Sequence, residues 1–97
     1  MTPLRTRYTA EAAALIRKFH PDVKREIRQG LRHLVEHPLA GHELHFELAG
    51  FRSYRVRTYR ILYRYDEQER MLDIFYVGHR RDVYESFRAL LLGREQP

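Results

Sequence analysis

The feature that most constrains this chain is a change of hydrophobic period near its middle. Before Pro38, apolar residues recur at helical spacing: Ala12, Leu15, Ile16 and Phe19 in one stretch, then Val23, Ile27, Leu31, Leu34 and Val35 in a second. Steps of three and four residues place each set on one face of a helix. Beyond Ser53 the period becomes two: Tyr54 and Val56 alternate with Arg55 and Arg57, and Ile61, Tyr63 and Tyr65 alternate with Arg60, Leu62 and Arg64. That is the pattern of half-buried strands. Met71 to Val77 is almost continuously apolar, as a central strand buried on both faces requires.

Local signals set the boundaries. Leu4 to Tyr8 alternates and reads as a short strand, and Thr9 suits the N-cap of the first helix. His20-Pro21 breaks that helix, Asp22 is the expected cap of the second, and Pro38 ends it. Leu39 to Gly50 is expected to be a loop or short edge strand, and Asp66 to Arg70 a polar turn. Val83, Phe87, Leu90 and Leu91 return to helical spacing within Asp82 to Leu92, with Gly93 as the expected stop. The fold class is therefore α+β: an N-terminal strand, a two-helix hairpin, three antiparallel strands joined by short turns, and a short C-terminal helix. The first strand should join the edge or the middle of the sheet, with the helix pair on one face. Residues 1–97 read as one domain, without repeats or a linker.

Composition narrows the functions. There is no cysteine, which excludes disulfides, thiolate nucleophiles and cysteine-based zinc sites and suits a reducing cytosol. No run of apolar residues is long enough to span a membrane, and no apolar segment follows Arg5 and Arg7 to make a secretory signal, so a cytoplasmic location is expected. The net charge is +5, carried by sixteen arginines against two lysines, Lys18 and Lys24. A basic surface is the electrostatic footprint of a nucleic-acid binder, and the planar guanidinium fork suits phosphate.

Two clusters carry candidate chemistry. Phe51 to Arg64 holds Arg52, Arg55, Arg57, Arg60 and Arg64 with three tyrosines and no acid. Alternation should send the arginines mostly to one sheet face, where they would meet the phosphates of single-stranded RNA while rings stack on bases. The competing reading is a solvated, edge-protecting charged face. The second cluster, Gly78-His79-Arg80-Arg81-Asp82-Val83-Tyr84, leaves the most apolar strand at a fixed place, with Gly78 expected to let the chain turn. His79 is a candidate for proton transfer and Tyr84 for an acid or hydrogen-bond donor. Taken singly, the histidine also reads as a surface residue and the tyrosine as a packing residue. His33 and His37 stand four apart on the second helix but lack the carboxylate of a metal motif, and no Gly-rich phosphate loop is present, so neither metal nor cofactor is expected.

These motifs resemble the RelE/ParE toxin superfamily. The resemblance rests on Leu48-Ala49-Gly50, Arg52-Ser53-Tyr54-Arg55-Val56, Tyr59-Arg60-Ile61-Leu62-Tyr63, and Val77-Gly78-His79-Arg80 with Asp82-Val83-Tyr84, four short motifs in order across nearly the whole chain. It implies a type II toxin–antitoxin toxin acting as a metal-independent mRNA interferase, often on the ribosome, in which the RNA 2′-hydroxyl attacks the adjacent phosphate. By matching positions, Arg55, Arg60, Arg80 and Tyr84 would be catalytic, with His79 in proton transfer and Arg52, Arg57, Arg64 and Arg81 binding RNA. It implies as partners an antitoxin with an acidic wrapping segment, mRNA and the ribosome, promoter DNA through the toxin–antitoxin complex, and no membrane. Two relatives of the same pattern remain open: a ParE-like gyrase poison that cuts nothing, and a non-catalytic RNA binder. The chain departs from the pattern in having Arg57 where many relatives have glycine, and arginine where the ribonucleases often have lysine on the basic strand. Arginine stays protonated and makes a poor base. Proton transfer then falls to His79, to Tyr84, or to the ribosome and solvent.

Overall fold

The computed structural model describes residues 4–79 and 82–95. Strand β1 (Arg5–Tyr8) leads into helices α1 (Ala10–Lys18) and α2 (Pro21–Glu36). A two-residue strand β2 (His42–Glu43) and a 3-10 turn at Phe46–Leu48 follow, then β3 (Arg52–Val56), β4 (Tyr59–Asp66), β5 (Met71–His79) and α3 (Val83–Glu95). The sheet runs β1-β5-β4-β3-β2. β1 is parallel to β5 and takes an edge, while the other neighbours are antiparallel. The expected α+β class and antiparallel trio hold, and the stretch after α2 contributes a fifth, very short strand at the opposite edge.

Local chemistry explains the ends of the elements. Thr9 caps α1 by accepting from the Ala12 N–H at 3.1 Å. The cap of α2 is His20, not the expected Asp22: its Nδ1 accepts from the Asp22 N–H at 3.1 Å. Pro21 occupies the first helical position, where its missing N–H costs nothing, and this moves the cap one residue upstream. Asp22 falls in the first turn, where its charge favours the helix dipole. Gly93 lies inside α3, which continues to Glu95, because its backbone does not enter the left-handed region that ends a helix. Gly78 does not turn the chain either: it sits in β5, where an added Cβ would meet Tyr76 Cε1 at 3.2 Å and Val83 Cγ2 at 3.4 Å. Its role is to let the start of α3 approach the sheet.

Each sheet face has its own core. On one, Ala12, Ile27, Leu31 and Leu34 of α1 and α2 pack on Ile61, Tyr63, Leu72, Ile74 and Val77. On the other, Val83 and Phe87 of α3 join Leu48 and Leu62, with Phe51, Phe75 and Tyr76 packed against them. This double covering is why Met71–Val77 is apolar but for Asp73, which pairs with Arg7 of β1. Strict alternation fails there because a register shift pairs Leu62 with Tyr76 but Tyr63 with Ile74. Phe75 is left over opposite the shift, so Phe75 and Tyr76 both serve the α3 side while Ile74 and Val77 both serve the helix pair.

Candidate functional site

The β3–β4 register builds the site. Directly opposed residues of an antiparallel pair share a face. Ser53, Leu62 and Tyr76 form one row across β3, β4 and β5, and Arg55, Arg60 and Gly78 form the next. Leu62 and Tyr76 belong to the α3-side core, so both rows lie on that face. Arg55 and Arg60 therefore stand directly opposite each other. Like charges directly opposed destabilise a sheet by roughly 0.2–1 kcal/mol. Arg55 Nε donates to the Arg57 carbonyl at 3.1 Å, and Arg60 Nε is buried without a hydrogen-bond partner among the described residues. Two cations held together at a cost leave a concentration of positive charge on this row.

Tyr84 completes the constellation. It lies in the first turn of α3, and its Oη is 2.9 Å from Ser53 Oγ. Ser53 is buried at 1% exposure and precedes Arg55 by two positions on the same face, about 7 Å along the strand. Helix α3 thus delivers a phenol to the row beside the arginine pair. The narrowness of Gly78 and the packing of Val83 and Phe87 hold the helix at that height.

The other expected site residues separate. Arg64 shares the α3 face but stands four residues along β4 from Arg60, about 13 Å away, with its guanidinium carbon 5.5 Å from the Phe51 ring centre. Arg52 points to the opposite face, because it is one residue out of phase with Ser53 and Arg55. It donates to the Gly41 carbonyl at 2.7 Å and pairs with Glu43 at 3.2 Å, tying the β2 segment to β3. Arg57 leaves the ladder at the β3–β4 turn with φ of +54° and reaches Glu26 of α2 at 3.0 Å. As alternation predicts for most of them, Arg55, Arg60 and Arg64 share one face, while Arg52 and Arg57 do not. His79 opposes Tyr59, at 6.0 Å between ring centres, and Tyr59 packs on Phe19 of the helix layer. His79 and Arg60 therefore face opposite sides of the sheet. Arg80 and Arg81 lie outside the described residues.

Ser53, which positions the tyrosine, was invisible as a site residue in the sequence. Its one signal is a small polar residue between two strand arginines, and its partner lies thirty-one residues away. On the α3 face, Arg55 is exposed and Arg60 half-buried. A separate cleft of about 640 Å³ lies near the end of α2, lined by His33, His37, Leu39 and Tyr65 among others. An open cationic face fits an extended polyanion better than an enclosed small molecule.

Comparisons with known proteins place the chain in a family. A family model described as the ParE toxin of the type II toxin–antitoxin system, parDE, matches residues 6–84. The chain is 36% identical over 84 residues to Toxin RelG of Mycobacterium tuberculosis, an alignment covering 84% of this chain and 97% of that protein. Among solved structures, a chain of the toxin–antitoxin complex RelBE2 from Mycobacterium tuberculosis superposes with a TM-score of 0.75 at 34% identity, covering 81% of this chain and 100% of that one. A mutant of E. coli toxin RelE in the free state gives a TM-score of 0.74 with 98% of this chain and 100% of that one covered, and at 16% identity the likeness is one of fold. The matched segment runs from β1 to the tyrosine of α3 and so contains the whole constellation, and the chain belongs to the RelE/ParE superfamily of type II toxin–antitoxin toxins.

Proposed function

We propose that this toxin is an endoribonuclease that cuts mRNA, acting on the ribosome, by attack of an RNA 2′-hydroxyl on the adjacent phosphate. The observation that carries the reading is the Arg55–Arg60 pair, opposed across β3 and β4 with the Tyr84 hydroxyl held beside it. The pentacovalent phosphorane formed in such an attack carries more negative charge than the ground-state diester. Guanidinium groups already fixed in place lower its energy without having to reorganise. Tyr84 supplies an O–H toward the leaving oxygen. No step in this scheme is routed through a metal or cofactor. Arg64, with Phe51 beneath it, extends the basic track for the RNA chain; by their motif positions, Arg80 is proposed to be catalytic and Arg81 to bind RNA.

The chain acts in the cytoplasm in this reading and is restrained by an antitoxin, the arrangement named for the solved RelBE2 complex. An acidic antitoxin segment laid over the arginine face would neutralise the charge pair that RNA otherwise occupies. Promoter DNA is reached only through that complex.

A second reading is favoured by the ParE description of the matching family model: a toxin that poisons gyrase by binding it and cuts no RNA. Induced expression of the wild type and of Arg60→Ala and Tyr84→Phe, with RNA 5′ ends mapped in the cells, separates the two. New 5′ ends inside translated messages, lost in both variants, are the expected result. Growth arrest with intact messages and DNA damage assigns the gyrase reading instead.

A further inference from the structure

The scheme above lacks a base. Arg55 and Arg60 stay protonated, and His79 faces the other side of the sheet. The register of β2 supplies a candidate that nothing in the motif pattern assigns. His42 is paired directly with Ser53, the residue that holds the Tyr84 hydroxyl. Its place on the α3 face has a second support: Leu44, two residues further on, packs into the α3-side core, and residues two apart on a strand share a face. Glu43, between them, points the other way and meets Arg52.

His42 is exposed, and its side chain makes no hydrogen bond or ion pair with the described residues. Directly opposed positions bring Cβ atoms within about 5 Å, and the diagonal to Arg55 is about 7–8 Å. An imidazole there reaches the edge of the arginine row from the side opposite Gly78. Of the other histidines, His20 caps α2, His33 and His37 lie tilted against each other at 4.8 Å between ring centres, His79 faces Tyr59, and His45 leads into the 3-10 turn beyond β2.

Resting on the endoribonuclease reading, we propose that His42 is the general base of the cleavage. A neutral ring nitrogen takes the 2′-hydroxyl proton as O2′ bonds to phosphorus. The P–O5′ bond breaks, and the leaving 5′ oxygen takes the Tyr84 phenol proton. The products are a 2′,3′-cyclic phosphate and a 5′-hydroxyl. The imidazolium then returns its proton to solvent and the tyrosinate takes one from it. Arg55 lies on the diagonal from His42, and Ser53, directly opposite His42, holds Tyr84.

The test is single-turnover cleavage of a defined message on programmed ribosomes by the full chain, against pH, for the wild type, His42→Gln, His42→Ala and, as a comparator in the helix layer, His37→Gln. A message with one 2′-deoxy at the cut site is the substrate control. The expected result is a loss of about 10²–10⁴-fold in both His42 variants. The acid limb of the wild-type profile should disappear, added imidazole should restore part of the His42→Ala rate, and His37→Gln should stay near wild type. Unaltered circular dichroism and ribosome binding would show that the variants fold and dock. Cleavage of the normal message by His42→Gln within about threefold of wild type, with the acid limb retained, overturns the role of His42 and leaves the endoribonuclease reading standing. A wild type that cuts neither message overturns both.

Discussion

Tyr84 Oη and Ser53 Oγ lie 2.9 Å apart, so the first turn of α3 is hydrogen-bonded to the middle of β3. One bond thereby serves packing and positioning together. Ser53→Ala should cost about 1 kcal/mol of stability, the net worth of a neutral hydrogen bond. Tyr84→Phe should cost about the same in chemical denaturation but lose far more cleavage, because it also removes the phenol proton. A double-mutant cycle on stability should show a coupling near 1 kcal/mol, and additive losses would show that the two hydroxyls do not bond in solution.

The Arg55–Arg60 pair exchanges stability for charge. Arg60→Met keeps the length of the side chain while removing the like-charge repulsion and the unpartnered buried Nε. Its stability should rise by about 0.5–1 kcal/mol. Its cleavage rate should fall by about 10²–10³-fold, the cost of losing one preorganised donor to a transition-state oxyanion. Urea denaturation alongside a cleavage assay checks both; a variant that loses stability shows the arginine to be structural.

Gly30 tests how tightly α2 lies on β3. Alanine in mid-helix normally gains about 1 kcal/mol over glycine. Here a Cβ would stand 2.7 Å from Val56 Cγ2 and 3.4 Å from Tyr54 Cε2, and the short valine cannot swing clear. Overpacking of this kind costs about 1–3 kcal/mol, so Gly30→Ala should be net destabilising. In a Val56→Ala background the same substitution should become neutral or favourable. Melting temperatures of the four variants decide it.

Tyr63 makes stability fall in alkali. Its ring is fully buried, its hydroxyl donates to the Pro38 carbonyl at 2.7 Å and accepts from the Gly41 N–H at 2.9 Å. Burial pushes the phenol above the ordinary tyrosine range, against smaller opposing contributions from the Gly41 N–H and Arg52. With the folded value raised, the unfolded chain ionises first. The stabilisation is complete below about pH 10 and is lost as pH rises through the folded value. Tyr63→Phe strands two backbone groups and should cost about 1–3 kcal/mol at pH 7. The gap between the variant and the wild type should narrow above pH 10 in pH-dependent denaturation.

The helices were legible because their information is local. Val23, Ile27, Leu31 and Leu34 mark their face by spacing alone, and three of them are buried residues of α2. Thr9 was legible as a cap for the same reason. Asp22 misled because a cap is chosen by backbone geometry, and Pro21 shifted that choice to His20. Gly93 misled because a glycine stops a helix only where the backbone turns left-handed, which it does not do there.

Within the site, the residue types were legible and their grouping was not. Arg55, Arg60 and Tyr84 follow from the motifs, and the structure brings them to one face. Arg52 is separated from them by one step of strand phase, and His79 by the pairing of Tyr59 with β5. Ser53 and His42 enter only through pairings with Tyr84 and with each other.

By itself, the sequence determined which segments are helix and strand, the excess of arginine over acid between Phe51 and Arg64, and the superfamily. Each is written in composition, in spacing over a few residues, or in short motifs. Only the tertiary structure decided which side chains share a face of the sheet. A shift of one residue in register reverses every side chain on a strand, and register is settled by what the two cores bury, not by the strand's own letters. That is how a two-residue strand at the sheet edge comes to set a histidine beside the serine that holds Tyr84.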